Sequence, residues 1–193
     1  MTTVLVAYAS KMGSTKEIAE VIGVELARAG LDVQVRDACD VTTVHGYDAV
    51  VVGSGIYAGK WRPDAVRVVG LIVDKNEDVG PSPTWLFHSG PCGQASAKTE
   101  VVAPKRVRQA AHQLGIAPPV TFGGRLEPAT AKGFIARKMA KGKLAGDFRD
   151  FDRIREWADG IAAQLTAHRA DLGAPTALPQ PRADTVHTPS VFH

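Results

Sequence analysis

The sequence predicts an α/β fold built on a parallel sheet, and three observations support this. Short apolar runs rich in β-branched residues alternate with segments of helical spacing from end to end. The runs Thr3 to Ala9 and Ala49 to Gly53 are apolar on both faces, as strands covered by helices on each side must be. Several runs empty into loops of small and polar residues, the pattern of strand ends that carry a ligand.

The elements follow in order. After the first strand, the cluster Ser10 to Thr15 is a loop, and Ile18, Ala19, Ile22, Leu26 and Ala29 recur at helical spacing until Gly30 stops them. Leu31 to Val35 alternates as a half-covered strand, and Ala49 to Gly53 is the third. Asp64 to Val73 is a helix with Pro63 and Asp64 as its start signals. Thr84 to His88 is the fourth strand, Pro104 to Leu114 a helix, and Val120 to Leu126 the fifth strand. A basic segment from Lys132 to Leu144 has a helical pattern. Phe151 to Leu165 closes the domain as an amphipathic helix with Ile154, Trp157, Ala158, Ile161 and Leu165 on one face.

With 193 residues, 45% hydrophobic and 22% charged, the chain suits one domain with a tail, and collagen, long coiled coils and wholly disordered chains are excluded. We place the domain at 1–168 and the tail at 169–193. Pro175, Pro179, Pro181 and Pro189 mark that tail as extended or disordered. His187 and His193 lack ligand partners at metal spacing, so no metal site is expected. No apolar run is long enough to span a bilayer, and no basic leader precedes the first strand. Cys39 and Cys92 form no CxxC, which favours a reducing cytoplasm. The formal charge of +3 permits anionic substrates or an anionic membrane surface without requiring either.

Three loops carry the candidate chemistry. Ser10, Lys11, Met12, Gly13, Ser14 and Thr15 lie between the first strand and first helix, where hydroxyls, backbone N–H groups and a helix N-terminus suit a phosphate. This is neither a Walker loop nor GxGxxG, and the alternative is an ordinary capped βα turn. After the third strand come Ser54, Gly55, Ile56, Tyr57, Ala58, Gly59, Lys60 and Trp61, with aromatics suited to stacking on a flat ring or to an ordinary surface. After the fourth come Ser89, Gly90, Pro91, Cys92 and Gly93. Together they describe a site with a phosphate at one end and a planar heterocycle at the other.

On these residues the chain resembles the flavodoxin-like FMN proteins over roughly residues 3 to 166. The phosphate-loop pattern Ser-x-x-Gly-x-Thr stands at Ser10, Gly13 and Thr15, with Met12 where flavodoxins more often carry Thr or Ser. The resemblance implies FMN as cofactor and a doubly wound five-stranded sheet of order 2-1-3-4-5, the order for which flavodoxin is itself a standard example. Within that superfamily the chain is most similar to the quinone-dependent protoporphyrinogen oxidases of flavodoxin type. The matching features are Gly-Ser-Gly-Ile-Tyr-Ala-Gly at 53–59, Gly123 to Leu126, the basic helix after it, and Gly146 to Phe151. What this likeness implies is oxidation of protoporphyrinogen IX with electrons passed to a membrane quinone, a step of heme biosynthesis.

The charges bear on the same reading. Segments 53–61 and 88–98 contain no Asp or Glu but do contain Lys60, His88 and Lys98, so a reduced, anionic flavin meets no opposing carboxylate there. Lys60, Arg62 and Arg125, with Trp61, are candidate substrate contacts for an anionic porphyrin, and each charge is also an ordinary surface residue. The basic segment 132–144 suits peripheral docking on the inner face of the cell membrane, or a solvated helix face. No nucleic-acid motif accompanies it. No residue is assigned as general acid or base; Cys92 lacks a paired thiol, and His88 and His112 read as structural. Two other functions fit the pattern: a flavodoxin-type electron carrier or quinone reductase, and a flavin-free binding module on the same fold. A deazaflavin in place of FMN and the oligomeric state both stay open.

Overall fold

A computed structural model of the chain describes residues 1–90, 100–128 and 145–173, with 133, 138, 140 and 141 between the last two stretches. Its elements are β1 (Thr3–Ala9), α1 (Ser14–Arg28), β2 (Asp32–Asp37), β3 (Ala49–Gly55), α2 (Pro63–Val79), β4 (Thr84–Ser89), α3 (Lys105–Gln113), β5 (Val120–Phe122), β6 (Arg125–Leu126), β7 (Gly146–Asp147) and α4 (Phe151–Gly173). Five strands form one sheet in the order β2-β1-β3-β4-β5, and every neighbouring pair in it is parallel. That is the expected doubly wound arrangement.

Strand alternation divides the core in two. Val4, Val6, Val51, Phe87 and Phe122 face α1 and α4, where Ile18, Ile22, Leu26, Ile154 and Ile161 cover them. Leu5, Ala7, Val50, Val52 and Leu86 face α2 and α3, against Ala65, Val68, Ile72 and Val107. Burial of each large aliphatic side chain contributes about 1.5–3 kcal/mol, which is why β1 and β3 are apolar on both faces. The edge strand β2, by contrast, alternates exposed and half-buried residues.

Two expectations need correction. The fifth strand does not run from Val120 to Leu126: β5 ends at Phe122, and β6 leaves the sheet to pair antiparallel with β7. The break is at Gly123, whose backbone is pressed against Phe148; a methyl there would lie 1.8 Å from the Phe148 carbonyl oxygen. The final helix also runs on to Gly173, past the expected helix end at Leu165. Residues 166–172 carry good helix formers, and the first breakers are Gly173 and Pro175. The remaining tail, 174–193, lies outside the described residues. So does most of the basic segment 132–144, of which Lys138 and Lys141 are exposed and Ala140 is buried against Leu126 and Met12. Among the described residues no helix is long and apolar enough to cross a membrane.

Candidate functional site at the carboxyl edge of the sheet

Parallel strands bring the ends of β1, β3 and β4 to one edge, and each pair of the loops that follow shares a hydrogen bond. The Lys11 amide donates to the Tyr57 hydroxyl at 3.2 Å. Thr15 Oγ1 and Ser89 Oγ are 2.9 Å apart. The Ile56 amide donates to the Ser89 carbonyl at 2.8 Å. Segments 10–15, 54–61 and 89–90 therefore gather at a single place; Pro91, Cys92 and Gly93 lie outside the described residues.

The phosphate-loop candidate is organised around Gly13, which sits at φ +91° as the residue preceding α1 and carries no side-chain cap. Only glycine adopts that conformation without a penalty of about 1–2 kcal/mol. Ser10 Oγ accepts the Gly13 amide at 3.0 Å, and Ser14 Oγ accepts the Arg125 amide at 3.2 Å. Both hydroxyls are thus acceptors, and neither donates to a described residue, which leaves their protons for an outside anion. The first N–H groups of α1 have no carbonyl a turn behind them, so they point the same way. Met12 departs from the hydroxyl of the usual pattern because it packs on Leu126 and Ala140, against the β6–β7 hairpin.

The second loop is a tight hairpin. Tyr57 and Lys60 exchange both backbone hydrogen bonds, at 2.9 and 3.0 Å, around Ala58 at φ +49° and Gly59 at φ +72°. Two positive φ values define a type I′ turn, so alanine at the first position stores strain. Tyr57 lies over Gly55, where a methyl would approach its ring to 2.7 Å, and Lys11 Nζ stands 6.0 Å from the ring centre. Lys60 is exposed and Arg62 half-buried.

Three candidates have other duties. Trp61 is 5% exposed, inside the core beside Ala65, and its Nε1–H donates to His88 Nδ1 at 3.3 Å. Its ring is not available for stacking on a ligand, because large aromatic area gains most from burial. Ser54 is fully buried; its hydroxyl donates to the Gly55 carbonyl and accepts the Arg62 amide at 2.9 Å, holding the loop closed over the start of α2. Arg125 stands at the first turn of α1, where its Nη2 pairs with Glu17 Oε1 at 2.5 Å.

His88 is structural, as expected, and more deeply engaged than an isolated histidine. It is fully buried, and Nε2 lies 2.7 Å from Thr121 Oγ1, which also accepts the Val101 amide at 3.0 Å. Trp61 N–H can only donate, so Nδ1 is the acceptor and the neutral ring carries its proton on Nε2. Burial lowers the His88 pKa to about 4, partly opposed by the Val101 backbone.

A network missed at the level of sequence surrounds Glu17. Arg149, its side chain 3% exposed, bonds Glu17 Oε2 at 2.6 Å and grips Asp147 through Nη2 at 2.5 Å and Nε at 2.7 Å. Its guanidinium lies 4.8 Å from the centre of the Phe151 ring. The Arg149 side-chain hydrogen bonds lower the Asp147 pKa. No sequence signal links positions 132 residues apart. We expect Arg149→Met to cost about 1–2 kcal/mol, the stranded carboxylates being partly hydrated, whereas Arg28→Met, which removes an exposed guanidinium and leaves Glu25 paired with Arg155, should stay within about 0.5 kcal/mol. Urea unfolding of both variants checks this.

At the opposite edge of the sheet, Trp85, Ile116, Pro118 and Trp157 help line an apolar groove of about 410 Å³. Among the described residues no titratable side chain lines it.

Comparison with known proteins agrees with this layout. A family model described as "Flavodoxin domain" matches residues 5–127. No curated protein matches the chain. Among solved structures, the fold is similar to rubredoxin:oxygen oxidoreductase from Desulfovibrio gigas, with 17% identity, a TM-score of 0.60, and 90% of this chain covered. This chain spans only 38% of that protein. A flavodoxin from the domain Archaea is similar at 18% identity and a TM-score of 0.56, covering 86% of this chain and 99% of its own. Oxidised flavodoxin 1 from Bacillus cereus is similar at 14% identity and 0.56, covering 85% and 99%.

Proposed function

Because the chain belongs to the flavodoxin-domain family, we propose that it binds FMN at the carboxyl edge of its sheet and acts as a flavin-dependent oxidoreductase. The observation that supports this most is the left-handed Gly13 at the head of α1, flanked by two serine hydroxyls that donate to no described residue. FMN, once bound, supplies the exchange of reducing equivalents. The chain supplies position: Ser10, Ser14 and the first amides of α1 hold the phosphate, with Thr15, tied to Ser89, behind them. Tyr57, Ile56, Ala58 and Gly90 would border the ring, beside the Lys11 amide that now donates to the Tyr57 hydroxyl.

The substrate we propose is protoporphyrinogen IX, oxidised to protoporphyrin IX, with a quinone at the inner face of the cell membrane as acceptor. The likeness of 53–59, 123–126 and 146–151 to that enzyme type supports it. Acid-free residues 53–61 add to it, since they favour reduction of the flavin by a substrate. Lys60 and Arg62 are the cations left for the porphyrin carboxylates. A second reading, a flavodoxin-type electron carrier, has its own support in the near-complete coverage of the archaeal and Bacillus flavodoxins.

Anaerobic FMN titration followed by protoporphyrinogen oxidation with menaquinone tests the proposal. Porphyrin fluorescence growing with enzyme concentration supports the dehydrogenase. Flavin binding without turnover, with full reduction only at very low potential, supports the carrier. A colourless protein that never quenches FMN fluorescence overturns both and leaves a flavin-free module. Gly13→Val is expected to weaken FMN binding about tenfold or more, since roughly 1–2 kcal/mol of backbone strain falls on the loop; unchanged affinity in the same titration would remove Gly13 from the site.

A further inference from the structure

The first turn of α1 carries a carboxylate where an anion-binding loop should avoid one. A methyl built on Gly13 would lie 3.8 Å from Glu17 Oε1 and equally 3.8 Å from Arg125 Nη2, so both charges border the loop at its closest point of approach. A phosphate dianion near an unpaired Glu17 would be repelled. Glu17 is not unpaired: Arg125 holds Oε1 at 2.5 Å and Arg149 holds Oε2 at 2.6 Å. Both arginines come from the segment between β5 and α4, and the Arg125 amide is itself bonded to Ser14 Oγ.

Arg125 also has something left to give. Among the described residues its buried Nε has no hydrogen-bond partner; Glu127 Oε2 lies 3.9 Å away, beyond hydrogen-bond reach. A buried guanidinium N–H without an acceptor costs free energy unless something accepts it. Arg149 shows no such buried orphan among the described residues: its Nε, Nη1 and Nη2 each donate to Asp147 or Glu17.

We propose that Arg125 is the residue by which this site selects a phosphorylated flavin over riboflavin: it cancels the Glu17 charge beside Gly13 and keeps a guanidinium donor for the phosphate. The proposal rests on the FMN reading above. It makes the β6–β7 hairpin part of the cofactor site, with Arg149 as the buttress that keeps Glu17 in place.

Equilibrium titration by flavin fluorescence quenching, run with FMN and with riboflavin, tests it without any turnover. Arg125→Met should weaken FMN about tenfold, the scale of one lost charge-assisted contact, and leave riboflavin unchanged. Arg125→Lys should retain most of the FMN preference. Glu17→Gln added to Arg125→Met should restore much of the lost FMN affinity, which a merely structural Arg125 would not do. Arg125→Met binding FMN as the natural chain does, or losing both flavins equally while Arg125→Lys does the same, overturns the assignment. If the natural chain binds neither flavin, the FMN reading itself fails and this inference falls with it.

Discussion

Gly53→Ala is expected to destabilise the protein by about 3 kcal/mol, the upper end of the cost of overpacking a filled core. Gly53 pairs with Phe87 across β3 and β4, and the phenyl ring lies directly over it. A methyl at residue 53 would stand 2.0 Å from Phe87 Cζ. The ring has nowhere to go: Phe87 is fully buried, with Phe122 and Trp157 each 5.9 Å away, centre to centre. The urea midpoint should drop by the corresponding amount at unchanged slope. Phe87→Leu, which destabilises the natural chain, should recover part of the loss when combined with Gly53→Ala. A variant within 1 kcal/mol of the natural chain would mean that this core yields far more easily than close packing allows.

Acidification should produce the second large effect, through His88. Its pKa falls from an ordinary 6.5 to about 4 on folding, first because burial disfavours the cation. The Trp61 N–H aimed at Nδ1 opposes the extra proton as well. A lowered folded pKa means the unfolded chain binds the proton more readily between those two values. The stabilisation is therefore complete above pH 6.5 and is lost as pH falls toward 4, about 2 kcal/mol of it between pH 7 and pH 5. Asp147, whose pKa the Arg149 hydrogen bonds hold below the ordinary 3.8, adds its own loss only below that range. Urea unfolding at pH 7 and pH 5 measures the slope, and His88→Gln should flatten it. A natural chain equally stable at both pH values would contradict the burial of a neutral His88.

Because His88 joins Trp61, Thr121 and, through Thr121, Val101, the same acidification loosens the ground beneath two of the three site loops. That connection was not visible beforehand. Trp61 follows a small-residue loop and reads as a candidate for ring stacking; its burial depends on His88 and on the core of one sheet face, which only the packed sheet brings to it. Met12 likewise reads as a gap in a hydroxyl pattern, and its reason is a hairpin more than a hundred residues away.

Local rules did specify a great deal. Apolar periodicity marked the five main strands and the helices on both faces, since burial on two sides demands it. Small residues after β1, β3 and β4 marked one edge, because parallel strands must all end there. What sequence alone did not determine was where the fifth strand breaks, which hydroxyls keep their protons, and which charges meet. Gly123 looks like any strand glycine until Phe148 presses on it, and Glu17 like any first-turn acid until Arg125 and Arg149 close around it. Contacts such as these form between groups far apart along the chain, so their energies belong to the folded arrangement and leave no periodic trace in the order of residues.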